Sequence, residues 1–224
     1  MGILKTITEE YFGERLREED KIDIYGLDVE IVSFTDNNKK FHKKGYKLKD
    51  KDNLKELLER MIEARGDEGD FNDIDTSDIK DISFLFYRKK RFNGDITGWD
   101  VSKVENMKYM FYCAESFNKP IGNWNVSSVT GMGSMFDGAK LFNQPLGKWD
   151  VSKVTNMERM FYEAESFNQP IGNWDVSNVE FMEYIFKNAT SFNQDLSEWD
   201  LNKKITTDMF DNCPIKNKYK PKMH

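Results

Sequence analysis

Side chains suited to catalysis are scarce in this chain of 224 residues. Histidine occurs twice, as His42 inside a lysine run and as His224 at the C-terminus. Neither completes a Ser/His/Asp order or a metal-ligand spacing with cysteine, and no glycine loop is shaped for phosphate. No enzyme, cofactor or bound metal is therefore expected. Cys113 and Cys213 are the only cysteines, too few for a disulfide framework. No apolar run reaches the ~18 residues of a membrane helix, so no membrane insertion is expected. The opening segment, MGILKTITEEYFGE, has neither the apolar stretch of a secretory signal nor a cysteine for a lipid. By that reading the chain is cytoplasmic.

Positive charge is also scarce where nucleic acid would need it. From Phe92 to Asp200 there are 8 basic and 15 acidic side chains, a net of −7 (8 − 15). Phosphate recognition calls for a continuous positive stripe, so nucleic acid is not the expected partner of this stretch. The basic exception is 39–51, with seven lysines against one aspartate. Phe41 and Tyr46 interleave with those lysines, which leaves anion or single-stranded nucleic-acid binding by this segment as an alternative function.

What the chain does have is a period. Its five tryptophans, Trp99, Trp124, Trp149, Trp174 and Trp199, stand 25 residues apart. Phe92 to Phe192 and Asn93 to Asn193 keep the same interval, and the blocks from Trp99 and Trp149 agree at 20 of 25 positions. A period of this size marks a stacked-repeat architecture, which offers long ordered surfaces instead of one cleft. Asp75–Phe86 aligns without a gap on Asp100–Phe111 as a degenerate first repeat, and a truncated repeat starts at Trp199. About six coils are expected over 71–214.

Around them, 1–51 reads as a non-repeat N-terminal cap. Within it Thr6–Arg17 suits a short helix, Ile22–Tyr25 and Val29–Phe34 suit strands, and Thr35-Asp36-Asn37-Asn38 suits a turn into a basic strand. Residues 52–70 hold a capping helix, Asp52–Arg65, with Asp52 as N-cap, Gly66 past its end and one apolar stripe. Residues 215–224 read as a charged, frayed tail.

Nine repeat positions are identical in all four full repeats: those of Trp99, Val101, Ser102, Val104, Met107, Phe111, Ala114, Phe117 and Asn118. Val101–Val104 suits one short strand per coil, and Met107, Met110, Phe111 and Ala114 have the spacing of one or two helical turns. The Trp and Phe columns are expected to be core ladders. The Asn column would satisfy backbone groups at a bend, and the Asp column after Trp would form Asx turns. Two rows are left for recognition. Lys103, Glu105, Ser128, Thr130, Lys153, Thr155, Asn178 and Glu180 flank the Val104 column. Tyr109, Tyr112, Arg159, Tyr162 and Tyr184 form an aromatic row of the kind that dominates interfaces.

The pattern Trp-Asp-Val-Ser-x-Val-x-x-Met-x-x-Met-Phe-x-x-Ala-x-x-Phe-Asn-x-x-[Ile/Leu]-x-x resembles the BspA-type leucine-rich-repeat proteins with the 25-residue lipoprotein-type repeat, over about 71–213. The resemblance implies an α/β solenoid, a leucine-rich-repeat-like right-handed coil stack behind a small α+β cap. It also implies a surface-exposed binding or adhesive role, in tension with the missing signal and anchor cysteine. It brings no catalytic residues. The expected function is a non-enzymatic protein-interaction module, a monomer whose partner is another protein.

Overall fold

The computed structural model describes the backbone of residues 21–24, 27–35, 42–48, 50–201 and 205–221, with side chains for 46–48, 50–201 and 205–221. The helix expected at Thr6–Arg17 and residues 36–38 of the turn expected at Thr35-Asp36-Asn37-Asn38 lie outside the described residues, while Thr35 is still in a strand.

Three antiparallel strands open the chain: β1 (Lys21–Ile24), β2 (Leu27–Thr35) and β3 (His42–Lys47). Their β-branched residues, Ile22, Val29, Ile31 and Val32 among them, favour extended backbone. β3 then pairs in parallel with β4 (Ile74–Asp75), the start of the first coil, so the hairpin sheet runs on into the repeats. Helix α1 (Lys51–Arg65) lies between them in sequence and buries Leu54, Leu57, Leu58 and Met61. Its N-cap is Asp50, whose carboxylate accepts the Asn53 N–H at 2.9 Å. The expected cap, Asp52, instead sits in the first turn, where its charge complements the helix dipole. Gly66 closes the helix at φ 82°, its N–H donating to the Ile62 carbonyl at 2.8 Å.

Ion pairs fasten this cap to the first coil. Lys47 and Lys103 lie 2.8 and 2.6 Å from the two Asp78 oxygens, and together they hold that carboxyl down at about 2. Lys51 donates to Ser83 Oγ at 3.0 Å, and Arg65 grips both Asp73 oxygens at 2.8 Å. Part of the basic segment 39–51 is thus spent on attachment.

From Ile74 onward, successive 25-residue units lie side by side in parallel, joined at Asp81, Asn106, Gly131, Asn156, Phe181 and Ile205. Coil 1 ends at Gly98, and coils 2 to 6 start at the five tryptophans. The expected strand is not formed at Val101–Val104. There the Val104 N–H donates back to the Val101 carbonyl at 2.9 Å, a turn prepared by Asp100 accepting the Ser102 N–H at 2.9 Å. The expected helical turns at Met107–Ala114 are also absent. Met110 donates to Met107, Tyr112 to Tyr109 and Ala114 to Phe111, three overlapping β-turns. Tyr109 (φ 58°) and Cys113 (φ 52°) occupy the third place of the first and last, where positive φ marks a type II-like turn. The N–H groups of Met107, Tyr109, Phe111 and Cys113 are thereby freed to donate to carbonyls of coil 3 at 2.7 to 3.0 Å. A helix would have kept these bonds within itself, so inward apolar spacing alone does not distinguish the two.

The core behind this track is aromatic. Phe86, Phe111, Phe136, Phe161, Phe186 and Phe210 stack at 5.4 to 5.9 Å with planes within 7°. Phe92 to Phe192 form a second column at 5.9 to 6.1 Å, about 4 Å from the first in each coil. Parallel rings this far apart are offset, the arrangement their quadrupoles prefer. The Trp149 indole donates to the Ile121 carbonyl, 28 residues back near the end of coil 2, at 3.2 Å. The Asn column performs the same service in reverse: Asn118 Oδ1 accepts the Asn143 N–H at 2.9 Å, and each next coil repeats the bond. Over 215–221 the tail is docked, not frayed. Ile215 is buried, Lys216 N–H continues the Asn ladder at 3.1 Å, and Tyr219 O accepts the Leu196 N–H at 2.8 Å.

Truncation of Trp149 or Phe142 to Ala, in the middle of the stack, is expected to cost about 3–5 kcal/mol. Chemical denaturation measures it. A Trp149→Ala protein as stable as its parent would place that column outside the core.

Candidate functional site

Two faces carry the side chains that the core does not claim. On the first, the backbone of Lys80, Glu105, Thr130, Thr155 and Glu180 links coil to coil, each carbonyl accepting an N–H from the next coil at 2.7 to 3.0 Å. Lys103, Glu105, Lys153, Thr155, Asn178 and Glu180 are exposed here. Much of this row is occupied with the stack itself. Ser128 Oγ donates to the Ser102 carbonyl at 2.8 Å, Asn178 Nδ2 to the Ser152 carbonyl at 2.6 Å, and Thr130 and Thr155 hydroxyls to carbonyls one coil back. Lys103 is held by Asp78, and Glu105 by Lys80 at 3.1 Å. Those side chains seal the joints between coils.

The second face is the outer side of the turn track. The inter-coil bonds align Phe84, Tyr109, Ser134, Arg159, Tyr184 and Asp208 in one column, all at positive φ. Tyr109 and Tyr184 therefore share a line with Arg159 between them. Tyr87, Tyr112, Asp137, Tyr162 and Lys187 form the next column. Positive φ turns each first-column side chain away from the core, so chemistry is free to vary there while the inward neighbours stay fixed. Phe84 stacks on Tyr109 and Tyr87 on Tyr112, both at 4.8 Å, and the two pairs touch edge to face at 5.6 and 5.8 Å. Phe84 is 44% and Tyr87 37% exposed. These two extend the row beyond the residues the sequence singles out. The gapless alignment of Asp75–Phe86 with Asp100–Phe111 already carries the signal, because it sets Phe84 on the Tyr109 column.

Coil 3 interrupts the row with small residues. A Cβ on Gly131 would meet Lys108 Cε at 2.8 Å, and one on Gly133 would meet Asn156 Oδ1 at 2.6 Å. The neighbours thus fold over this coil. Beneath them lies Asp137, 3% exposed, with Arg159 Nε at 2.9 Å from its carboxylate. The same guanidinium sits 3.8 Å above the Tyr162 ring, a cation–π contact. Burial outweighs Arg159 and, with Glu163 nearby, pushes the Asp137 carboxyl up to about 6. Burial and Asp137 also raise the Cys113 thiol, which keeps it from being a reactive thiolate at neutral pH. No group of three or more His, Cys, Asp or Glu is placed to hold a metal among the described residues.

A family model described as Mycoplasma protein of unknown function, DUF285, matches residues 52–150 and again 120–222. The chain belongs to this family. No curated protein and no solved structure matches it. The two DUF285 matches overlap through coil 3, as tandem repeats allow, and both candidate faces fall within them. The double match supports a tandem-repeat protein and leaves its activity open.

The Asp137 environment predicts a pH response. Its folded value lies above the ordinary carboxyl value of 3.8, so ionisation above pH ~6 costs stability. Between pH ~6 and ~4 the folded state holds a proton that the unfolded state has lost, and stability rises as pH falls. The melting temperature of the parent, measured relative to Asp137→Asn, is therefore expected to increase from pH 7.5 to pH 4.5. A constant difference would mean that Arg159 keeps the carboxylate ionised throughout.

Proposed function

We propose that this DUF285 chain is a non-enzymatic protein-interaction module that binds through the outer face of its turn track. The observation carrying this reading is the four-ring cluster of Phe84, Tyr87, Tyr109 and Tyr112. Beyond coil 3, where small residues interrupt the row, the Arg159–Tyr162 stack stands in the same two columns. Tyr and Arg held rigidly on such a frame are the side chains that concentrate binding energy. The Val104-flanking row is the weaker choice, since most of its polar groups are already engaged between coils. The parallel coils and stacked Phe columns support the finer reading, a right-handed leucine-rich-repeat-like solenoid of the BspA type. An adhesive role at the cell surface is part of that proposal. Anion binding by 39–51 is disfavoured by the engagement of Lys47 and Lys51 with Asp78, Asp81 and Ser83.

Capture of partners from the native cell tests this. A Tyr87→Ser/Tyr112→Ser protein is expected to lose capture about tenfold or more, while Lys153→Ala/Glu180→Ala keeps it and both melt near the parent. Loss confined to the second protein would move the site to the other face.

A further inference from the structure

We infer that the turn-track face is complementary to itself, and that a second copy of this chain docks on it antiparallel, with the two-fold axis crossing coil 3. The inference rests on the reading of this face as the interaction surface and names one occupant for it. A two-fold axis lying across the stack brings coil 2 against coil 4 of the other copy, and coil 1 against coil 5, column for column.

Charge and shape agree with that pairing. In the column of Ser83, Lys108, Gly133, Glu158 and Glu183, coil 2 offers Lys108 and coil 4 offers Glu158, neither in an ion pair among the described residues. In the next column Tyr109 meets Arg159, whose guanidinium already shows an affinity for a ring. Phe84 of coil 1 meets Tyr184 of coil 5. At the axis the small, buried Gly133 and Ser134 of coil 3 add no side chain that could clash with its own image. Shifting the axis by half a coil sets Phe84 against Asp208 and Glu158 against Gly133, and leaves Lys108 as the one charge of this column with an opposite partner, Glu183. Five coils at ~4.8 Å span only about 25 Å, short for a standard interface of ~800 Å² per partner. The association is therefore weak and concentration-dependent.

Sedimentation equilibrium on the intact chain, from about 1 μM to about 1 mM, measures it, with melting temperature as the folding control. The parent is expected to form dimers, and no larger species, within this range. Lys108→Glu alone and Glu158→Lys alone each place like charges opposite one another, and each is expected to weaken dimerisation about tenfold or more. An equimolar mixture of the two restores opposite charges at both symmetric contacts, and is expected to recover a mixed dimer as strong as the parent's. A parent that stays monomeric, single variants that dimerise like the parent, or a mixture that fails to recover would each overturn the self-docking. None of these results affects capture of other proteins by the aromatic row, which is measured separately and fails only if Tyr87 and Tyr112 prove dispensable.

Discussion

Everything in the repeat array depends on where alternate backbone N–H groups of the turn track point. Those of Met107, Tyr109, Phe111 and Cys113 leave their own coil and reach carbonyls of the next. That is possible only because Tyr109 and Cys113 take positive φ, which inverts the local hand of the chain and prevents the turns from closing into a helix. The strain recurs at Phe84, Arg88, Ser134, Arg159, Glu163, Tyr184 and Asn188, ordinary residues in a conformation that favours glycine. Glycine takes it once, at Gly138. What offsets the strain is the four-bond joint to the neighbouring coil together with the Phe pair packed behind it. A coil alone would have neither, so the track is stable only as a stack.

The same constraint divides the side chains. Inward residues must fill an unvarying section, hence the Met, Phe, Ala and Phe columns with almost no exposure. Left-handed residues point away from the core and pack on their own and the adjacent column, as Phe84 does on Tyr109 and Tyr87. Aromatic and charged side chains therefore accumulate on the outer face without cost to the core, while Asp137, roofed by Arg159, is buried there along with the small Ser83 and Ser134. On the opposite rim, small polar residues such as Ser128 and Asn178 are consumed by carbonyls one coil back. A frame that engages the polar groups of one rim leaves the variable side chains on the other.

Much of this was legible in the residues. The 25-residue period located the coils, and the identity of Trp, Phe and Met positions located the core, because a stacked column tolerates no change of volume. The Asn and Asp columns were readable as backbone partners because their side chains are too short to do much else at a bend. Local conformation was not readable. Val101–Val104 has strand composition but lies in a turn set by Asp100, and Met107–Ala114 has helical spacing but lies in turns set by φ at Tyr109 and Cys113. Nothing in the letters Tyr or Cys signals a left-handed residue, and the one repeat with glycine at that place is easily taken for an exception. The Asp137–Arg159 pair was hidden for another reason: its members are 22 residues apart, off the period that organises everything else.

The polarity of the joints also decides how the ends behave. The track bonds all run from an N–H of one coil to a carbonyl of the next. At the last coil the N–H groups of Thr206, Asp208, Phe210 and Asn212 therefore make no backbone hydrogen bond among the described residues. Along the turn track this edge presents donors, whereas the joints from Lys80 to Glu180 run the other way, each carbonyl accepting from the next coil. It cannot pair with its own image, since donors would face donors, and an ordinary extended strand would bring unwanted N–H groups along with its carbonyls. The opposite end is filled by β3 and α1, held through Lys47, Lys51 and Arg65. Growth by end-to-end stacking is thus blocked at one end by a fitted cap and at the other by mismatched polarity. Of the sides of the stack, the turn-track face is one that carries exposed aromatic groups, Phe84 and Tyr87.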